Sequence, residues 1–107
     1  MKRLAILACG MVAALTVASA AAADAAKAQA LLKQHNCLQC HGIDKKIIGP
    51  AYKDVAKKYK GQKGAAAMLA KKVKEGGKGV WGAIPMPPNT GASDADIKLM
   101  VEYVLSL

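Results

Sequence analysis

Two cysteines and a histidine lie within five consecutive residues, Cys37-Leu38-Gln39-Cys40-His41. Two thiols three positions apart share one turn and can form thioethers with the two vinyl groups of a single porphyrin. The residue after the second thiol then places an imidazole under the iron, so His41 is predicted to be the proximal ligand. The spacing is therefore typical of one haem c attached covalently through Cys37 and Cys40.

The same cysteines allow other chemistry. They could form a disulfide in an oxidising compartment. They could also be a thioredoxin-like redox pair, although that needs a βαβ context and the chain shows no convincing strand pattern. Zinc is a third alternative, but only His41 and His35 could join the two thiols, whereas structural zinc usually draws on two separated pairs of ligands. Haem attachment ranks above all three.

The N-terminal residues have the pattern of an export signal. Lys2 and Arg3 form a short positive region, residues 4–18 are almost wholly apolar, and small residues follow through Ala23. The apolar run of about 15 residues is shorter than the roughly 20 needed to span a bilayer. We predict a cleaved signal peptide over residues 1–23, a single domain over residues 24–107, and a periplasmic location. Cleavage after Ala20 and an uncleaved anchor are the alternatives.

The net charge of the predicted mature chain, residues 24–107, indicates which kinds of partner it can bind. Removing Lys2 and Arg3 from the 16 basic residues leaves 14 lysines against seven carboxylates, a net charge of about +7. Such a balance favours acidic partners or anionic surfaces. Nucleic acid is not expected, because no arginine remains and aromatic residues are few. The chain also has no phenylalanine, and a domain this small buries a limited core. A covalently held macrocycle would supply the missing apolar bulk.

Four short helices joined by Gly- and Pro-rich loops are predicted, which makes the domain all-α. Asp24 is expected at the head of the first helix, where its charge suits the helix dipole. Pro50 is expected as the first residue of the second helix, and the third should cover residues 65–75. Ser93 is expected to begin the fourth, with Asp96 three residues later resembling a capping box.

Each helix has an apolar stripe at helical spacing. The stripes are Ala28, Leu31, Leu32 and His35; Tyr52, Val55, Ala56 and Tyr59; Ala66, Leu69 and Val73; and Ile97, Met100, Val101, Val104 and Leu105. In the third helix Lys71, Lys72 and Lys74 are expected to face mainly outward. The stretch 82–91 is expected to be irregular, because it has three prolines in four positions.

The sixth position of the iron decides the function, and a methionine could fill it. Met68 and Met100 lie in predicted helices, where core packing is the simpler interpretation. Met86 lies in a loop whose flanking prolines lower the entropy lost on holding a thioether against iron. His35 is too close to Cys37 to reach the opposite face of the same haem, and is expected to be a surface residue.

Four blocks of this sequence together resemble the small bacterial class I cytochromes c of the c-551/c-552 type. They are the haem motif Cys37-Leu38-Gln39-Cys40-His41, then Ile48-Gly49-Pro50-Ala51-Tyr52-Lys53-Asp54-Val55, then Gly79-Val80-Trp81-Gly82, then Ile84-Pro85-Met86-Pro87-Pro88-Asn89. The resemblance implies a class I cytochrome c fold wrapped around one haem c. It also implies His41 as the proximal ligand and Met86 as the distal ligand of the iron.

The resemblance implies three further roles. The Pro50 carbonyl would accept the other ring N–H of His41 and orient it. Trp81 would donate its indole N–H to a haem propionate, and Asn89 would lie near the Met86 sulfur. Trp81 could instead be ordinary core, and Asn89 could be only a turn residue.

The sequence departs from the family pattern at three places. Lys72 occupies a place where several relatives have an arginine near the propionate. Tyr103 replaces a frequent tryptophan in the last helix, and residues 89–93 appear one residue longer than in some relatives.

The resemblance implies a soluble, monomeric periplasmic electron carrier without catalytic residues. Its partners would be redox proteins with acidic docking surfaces, such as membrane cytochrome complexes and a terminal reductase or oxidase. The candidate docking lysines are Lys33, Lys45, Lys46 and Lys63. A haem protein with an open sixth site, which binds gas or acts as a small peroxidase, is the alternative, and a membrane-tethered electron-transfer subunit is a second one.

Overall fold

A computed structural model describes residues 8–12 and 20–107 of the chain. The elements are α1 (Ala20–Gln34), a short 3-10 turn (Cys37–Gln39), α2 (Tyr52–Tyr59), α3 (Ala65–Glu75) and α4 (Asp94–Leu105). These residues contain no β-strand, only two isolated bridges that pair His41 with Lys46 and Gly77 with Met86. The prediction of an all-α domain with four short helices is confirmed.

The N-terminal prediction lies partly outside the described residues, which do not include Lys2, Arg3 or most of the apolar run. Helix α1 begins at Ala20, so Asp24 is not in its first turn, and the predicted place of Asp24 at the helix head is wrong. The run of alanines before Asp24 extends the helix because alanine has the highest helix propensity. Cleavage after Ala23 stays a prediction. No helix in the described ranges is long and apolar enough to cross a membrane.

Helix α2 begins two residues later than predicted. Pro50 is not its first residue, because Ala51 is the N-cap, with extended ψ of 141°, and Tyr52 begins the helix. The Tyr52 amide donates to the Gly42 carbonyl at 2.9 Å, and this contact fixes where the chain enters the helix. The predicted stripe is confirmed, since Tyr52, Val55, Ala56 and Tyr59 are all buried.

Helix α3 has the predicted bounds. Its C-cap is Gly76, where φ is +79° and the amide donates to the Lys72 carbonyl at 2.7 Å. Glycine adopts this conformation without the steric cost that a side chain would add. One inward residue was predicted wrongly, because Ala65 is buried and Ala66 is exposed. Half-buried Lys72 also differs from the outward position expected for it.

Helix α4 is the common packing partner of the other three helices. Its predicted cap is confirmed, since the Ser93 hydroxyl accepts a hydrogen bond from the Asp96 amide at 3.2 Å. The helix buries four of its five stripe residues, namely Ile97, Met100, Val101 and Val104, and half-buries Leu105. Tyr103 packs at the edge of this core, and its hydroxyl accepts a hydrogen bond from Gln29 of α1 at 3.0 Å.

Candidate cofactor site

The two motif cysteines lie on the tight turn that follows α1. Asn36 adopts a left-handed conformation with φ of 60°, which turns the chain away from the helix axis. The amides of Cys40 and His41 both donate to the Cys37 carbonyl, at 3.2 and 2.9 Å. Both thiols are free and half-buried, so this turn presents two unbonded sulfurs and an imidazole together.

The His41 imidazole is held by three neighbours. Its Nδ1 lies 2.7 Å from the Pro50 carbonyl oxygen, and a ring N–H that donates there leaves Nε2 with the free lone pair that a metal needs. The Tyr52 ring stacks on the imidazole, with centroids 4.7 Å apart and planes 14° from parallel. A side chain at Gly49 would have its Cβ only 2.6 Å from the imidazole Cε1. The imidazole therefore has little room to rotate.

A cavity of about 560 Å³ opens beside this turn. That volume lies within the roughly 300–1,000 Å³ typical of small-molecule and cofactor sites. Apolar residues of the core form its floor: Leu32, Val55, Tyr59, Met100, Val101 and Val104. Cys37, Cys40 and His41 line it as well. An apolar cavity with two thiols and one imidazole in its wall has the donor set that a covalently attached haem requires.

Cys37 and Tyr52 influence each other's ionisation inside this wall. Burial raises the pKa of the Cys37 thiol, and a hydrogen bond with the Tyr52 side chain offsets part of that rise. Burial also raises the pKa of the Tyr52 phenol well above its usual value, and the neighbouring Cys37 raises it further. Tyr52 is therefore neutral at physiological pH and is available as a hydrogen-bond donor toward the sulfur.

The loop after α3 brings Met86 to the same cavity. The Met86 amide donates to the Gly77 carbonyl at 2.7 Å, and the Gly77 amide returns a bond to Met86 at 3.1 Å. Gly76 allows this approach, since a Cβ there would lie 2.5 Å from the Met86 carbonyl oxygen. Half-buried Met86 lines the cavity. The predicted irregular stretch 82–91 is confirmed as loop.

Met68 and Met100, the other two methionines of the predicted mature chain, have different environments. Met100 is 2% exposed and belongs to the core, as predicted, although it also reaches the cavity floor. The prediction that Met68 packs in the core is wrong, because its side chain is 38% exposed. Helix α3 instead turns Ala65, Leu69 and Val73 toward the core. Half-buried His35 does not line the cavity.

Trp81 and Asn89 lie on the same loop but have different surroundings. Trp81 lines the cavity and is 42% exposed, which is not the environment of ordinary core. The Lys58 ammonium lies 5.5 Å from its ring centroid, within the range of a cation–π contact. The Asn89 side-chain oxygen accepts bonds from the amides of Gly91 and Ala92, each at 3.1 Å. These are the contacts of a turn residue, and Asn89 is not among the cavity-lining residues.

Of the four lysines selected from the sequence, one lines the cavity. Lys46 lines it, but Lys33, Lys45 and Lys63 do not, whereas Lys72 and Lys78 do. Within the described residues, no three His, Cys, Asp or Glu side chains come together to hold a metal ion. Sequence reasoning also missed the contacts of Tyr52 and Gly49 with His41. Their place in the motif after the haem cysteines was visible, but nothing in the pattern indicated that either touches the imidazole.

Comparisons with known proteins agree with this geometry. The family model for cytochrome c matches residues 25–107. The chain is 50% identical over 94 residues to cytochrome c-552 of Nitrosomonas europaea, and the aligned region covers 88% of this chain and 87% of the relative. It is 53% identical over 78 residues to cytochrome c-551 of Pseudomonas aeruginosa, which covers 73% and 74%. The crystal structure of wild-type Nitrosomonas europaea cytochrome c552 matches with a TM-score of 0.72 at 49% identity, covering 74% of this chain and 98% of that one.

Proposed function

Since the chain belongs to the cytochrome c family and has its class I fold, we propose that this small haem c electron carrier works in the periplasm with His41 and Met86 as axial ligands. One covalently attached haem c is the cofactor, and Cys37 and Cys40 hold it. The observation on which the ligand assignment rests is that Met86 lines the same cavity as Cys37, Cys40 and His41.

The proximal side of the site is built for a fixed ligand. The Pro50 carbonyl accepts a hydrogen bond from the Nδ1–H of His41, so Nε2 would be the nitrogen that binds the iron. An imidazole whose other nitrogen donates a hydrogen bond is also a more basic ligand. Pro50 thus sets the tautomer of His41 and the position of its Nδ1.

The distal side uses a constrained loop. Pro85 and Pro87 flank Met86, and each proline fixes its own φ angle. The two backbone hydrogen bonds between Met86 and Gly77 hold this loop against the end of α3. Little conformational entropy remains to be lost when the thioether is held in place. A methionine ligand raises the reduction potential, which suits a carrier that accepts electrons readily.

When bound, the haem supplies one-electron redox chemistry between the ferric and ferrous states. The residues around it keep one geometry in both states, because His41 and Met86 are each anchored by backbone hydrogen bonds. Small rearrangement on electron transfer makes the transfer fast. A site filled on both sides has no position for a substrate, so we assign no catalytic residue.

The rim of the cavity supports roles for three other side chains. Trp81 lines the rim and can donate its indole N–H to a propionate, and Lys72 lines the same rim as a second cationic or hydrogen-bonding group. Lys72 offers a compact charge and not the bidentate fork of arginine. We propose that Asn89 tunes Met86 indirectly. Its side-chain oxygen accepts hydrogen bonds from the amides of Gly91 and Ala92 and so shapes the turn that follows the Met86 loop.

The partners we propose are redox proteins with acidic docking surfaces, such as membrane cytochrome complexes and a terminal reductase or oxidase. The excess of lysines over carboxylates supports this, since all basic residues beyond Arg3 are lysines. Complementary charge acts mainly on the association rate of such complexes. A monomer suits brief encounters of this kind, which bury little area.

The decisive experiment is the optical spectrum of the holoprotein with and without Met86. The ferric wild type should show the weak near-infrared band of sulfur bound to iron, and Met86→Ala should lose it. The reduction potential should fall, and the ferrous variant should bind carbon monoxide. Met68→Ala is the matched control, because that methionine is exposed and should leave band and potential unchanged.

A wild-type ferrous protein that readily binds carbon monoxide at neutral pH would overturn the assignment. It would favour the gas-binding or peroxidase alternative with an open sixth position. Mass spectrometry of the native protein tests the export prediction, since a mass that begins at Ala21 or Asp24 agrees with cleavage and an intact N-terminus indicates a tethered subunit.

A further inference from the structure

Helix α2 contributes two buried tyrosines to the cavity wall, and they differ in their ring contacts. Tyr52 is 8% exposed and Tyr59 is 7% exposed, and both line the cavity. Tyr52 stacks on the His41 imidazole with centroids 4.7 Å apart, whereas the ring contact recorded for Tyr59 is with the Lys58 ammonium at 5.8 Å. Of these two tyrosines, Tyr52 is the one whose ring stacks on the predicted ligand.

One hydrogen bond does not fix the orientation of an imidazole. The bond from Nδ1 to the Pro50 carbonyl sets the position of one ring atom, but the plane of the ring can still rotate about that bond. A stacked ring that is itself immobile removes this freedom. The 14° angle between the two planes means that the Tyr52 ring defines the plane of His41.

Tyr52 is itself held firmly. It is the first residue of α2, and its amide donates to the Gly42 carbonyl at 2.9 Å. Its side chain belongs to the buried core cluster. The ring that stacks on His41 is thus anchored by the helix and by the core.

We propose that Tyr52 is a positioning residue for the axial ligand, and that its stacked ring sets the plane of the His41 imidazole about the iron–nitrogen axis. This inference rests on the proposed function, because it concerns His41 as a haem ligand. An imidazole locked in one plane has the same orientation in both oxidation states. Tyr52 would therefore determine the electronic asymmetry of the site, a property that general core packing does not determine.

The test uses the holoprotein and three variants. Tyr52→Phe keeps the stacked ring, Tyr52→Leu removes it, and Leu31→Ala truncates a core side chain of similar burial, 7% exposed, that does not line the cavity. The readouts are the spread of the haem methyl shifts in the ferric proton spectrum and the g-values of the ferric electron paramagnetic resonance spectrum, both of which depend on ligand orientation.

We expect Tyr52→Leu to change the order or spread of the methyl shifts and to move the g-values. Tyr52→Phe should reproduce the wild-type pattern, and Leu31→Ala should lower the melting temperature while leaving the pattern unchanged. Equal spectral changes in Tyr52→Leu and Leu31→Ala, or none in Tyr52→Leu, would reduce Tyr52 to a packing residue.

A measurement on the wild type keeps the test decisive if Tyr52→Leu does not fold. In the diamagnetic ferrous protein, the stack predicts nuclear Overhauser effects between the ring protons of Tyr52 and His41, and their absence overturns the proposal. A wild type that is not low-spin and six-coordinate would instead contradict the proposed function, so the two failures are distinguishable.

Discussion

Gly49 lies against the His41 imidazole so closely that a Cβ at this position would be 2.6 Å from Cε1 and 2.9 Å from Nδ1. A clash of this size is cheap only where the ring can move aside. Here it cannot, because Pro50 binds Nδ1 and Tyr52 stacks on the ring. The absence of a side chain at Gly49 is thus part of the ligand environment.

We expect Gly49→Ala to destabilise the holoprotein by about 1–3 kcal/mol, the usual cost of overpacking a filled interior. The displaced imidazole should also shift the reduction potential. Denaturant unfolding and potentiometry check both effects. Gly91→Ala is the matched control, because a Cβ there meets only ordinary contacts at 3.9 Å or more. A Gly49→Ala protein with wild-type stability and potential would contradict this account of the site.

The cysteine pair should decide whether the chain folds. The residues that floor the cavity also form the core, so removing haem attachment leaves a void of about 560 Å³ in a small domain. We expect Cys37→Ala combined with Cys40→Ala to give a largely unfolded chain by far-ultraviolet circular dichroism. Gln39→Ala, at an exposed position between the two cysteines, should behave as wild type. A cooperative melt with native-like helicity in the double variant would show that the helices need no haem.

Lysines at the cavity rim should steer docking more than the others. Lys46 and Lys78 line the cavity, whereas Lys33 and Lys63 do not. We expect Lys46→Glu and Lys78→Glu to slow association with an acidic redox partner severalfold, with nearly unchanged potential, and Lys33→Glu and Lys63→Glu to have smaller effects. Stopped-flow rates across a salt series test this, since screening beyond roughly 8 Å at physiological salt should flatten the differences. Equal rates at low salt would mean that the lysines only solubilise the protein.

An ion pair between α3 and α4 should give stability a dependence on high pH. Lys74 Nζ lies 2.8 Å from Asp94 Oδ1, and this hydrogen bond and the charge of Asp94 raise the pKa of Lys74 above 10.5. An amine with a higher pKa in the folded state stabilises the fold below pH 10.5 and loses that contribution as pH rises through the folded pKa. The effect should be small, because the pair is exposed.

Thermal melts of wild type and Lys74→Gln compare this contribution directly. The wild type should melt slightly higher at pH 8, and the difference should vanish well above pH 10.5. Lys57→Gln, at an exposed position on α2 that takes part in none of the ion pairs among the described residues, should show no such dependence. A difference between wild type and Lys74→Gln that persists at high pH would point to packing by the lysine stem.

The helices could be predicted where their signals are local. The periodic apolar residues and the Ser93 cap defined α4, and the glycines after Glu75 defined the end of α3. The start of α2 could not be predicted in this way, because the position of Pro50 depends on a hydrogen bond with His41, nine residues earlier. Ala65 and Ala66 have the same side chain, so the sequence pattern could not decide which of them faces inward.

The site was predictable to a similar degree. The haem motif and the proline-flanked Met86 are signals in the sequence itself. The lysines that line the cavity could not be predicted in this way. Lys72 and Lys78 reach the cavity because the loop after α3 folds back and pairs Gly77 with Met86. The exposure of Met68 was missed because its prediction rested on its place in a helix alone, and Met68 does not belong to the stripe of Leu69 and Val73 that packs on the core.

Helix α4 follows the other three helices in the chain, and they pack chiefly against it. During synthesis, α1, α2 and α3 therefore exist for a time without the surface that buries them, and contacts between distant segments form late. The growing chain stays open until the residues of α4 have emerged. An open chain exposes Cys37 and Cys40, so the order of the helices leaves the two thiols accessible for haem attachment before the core closes.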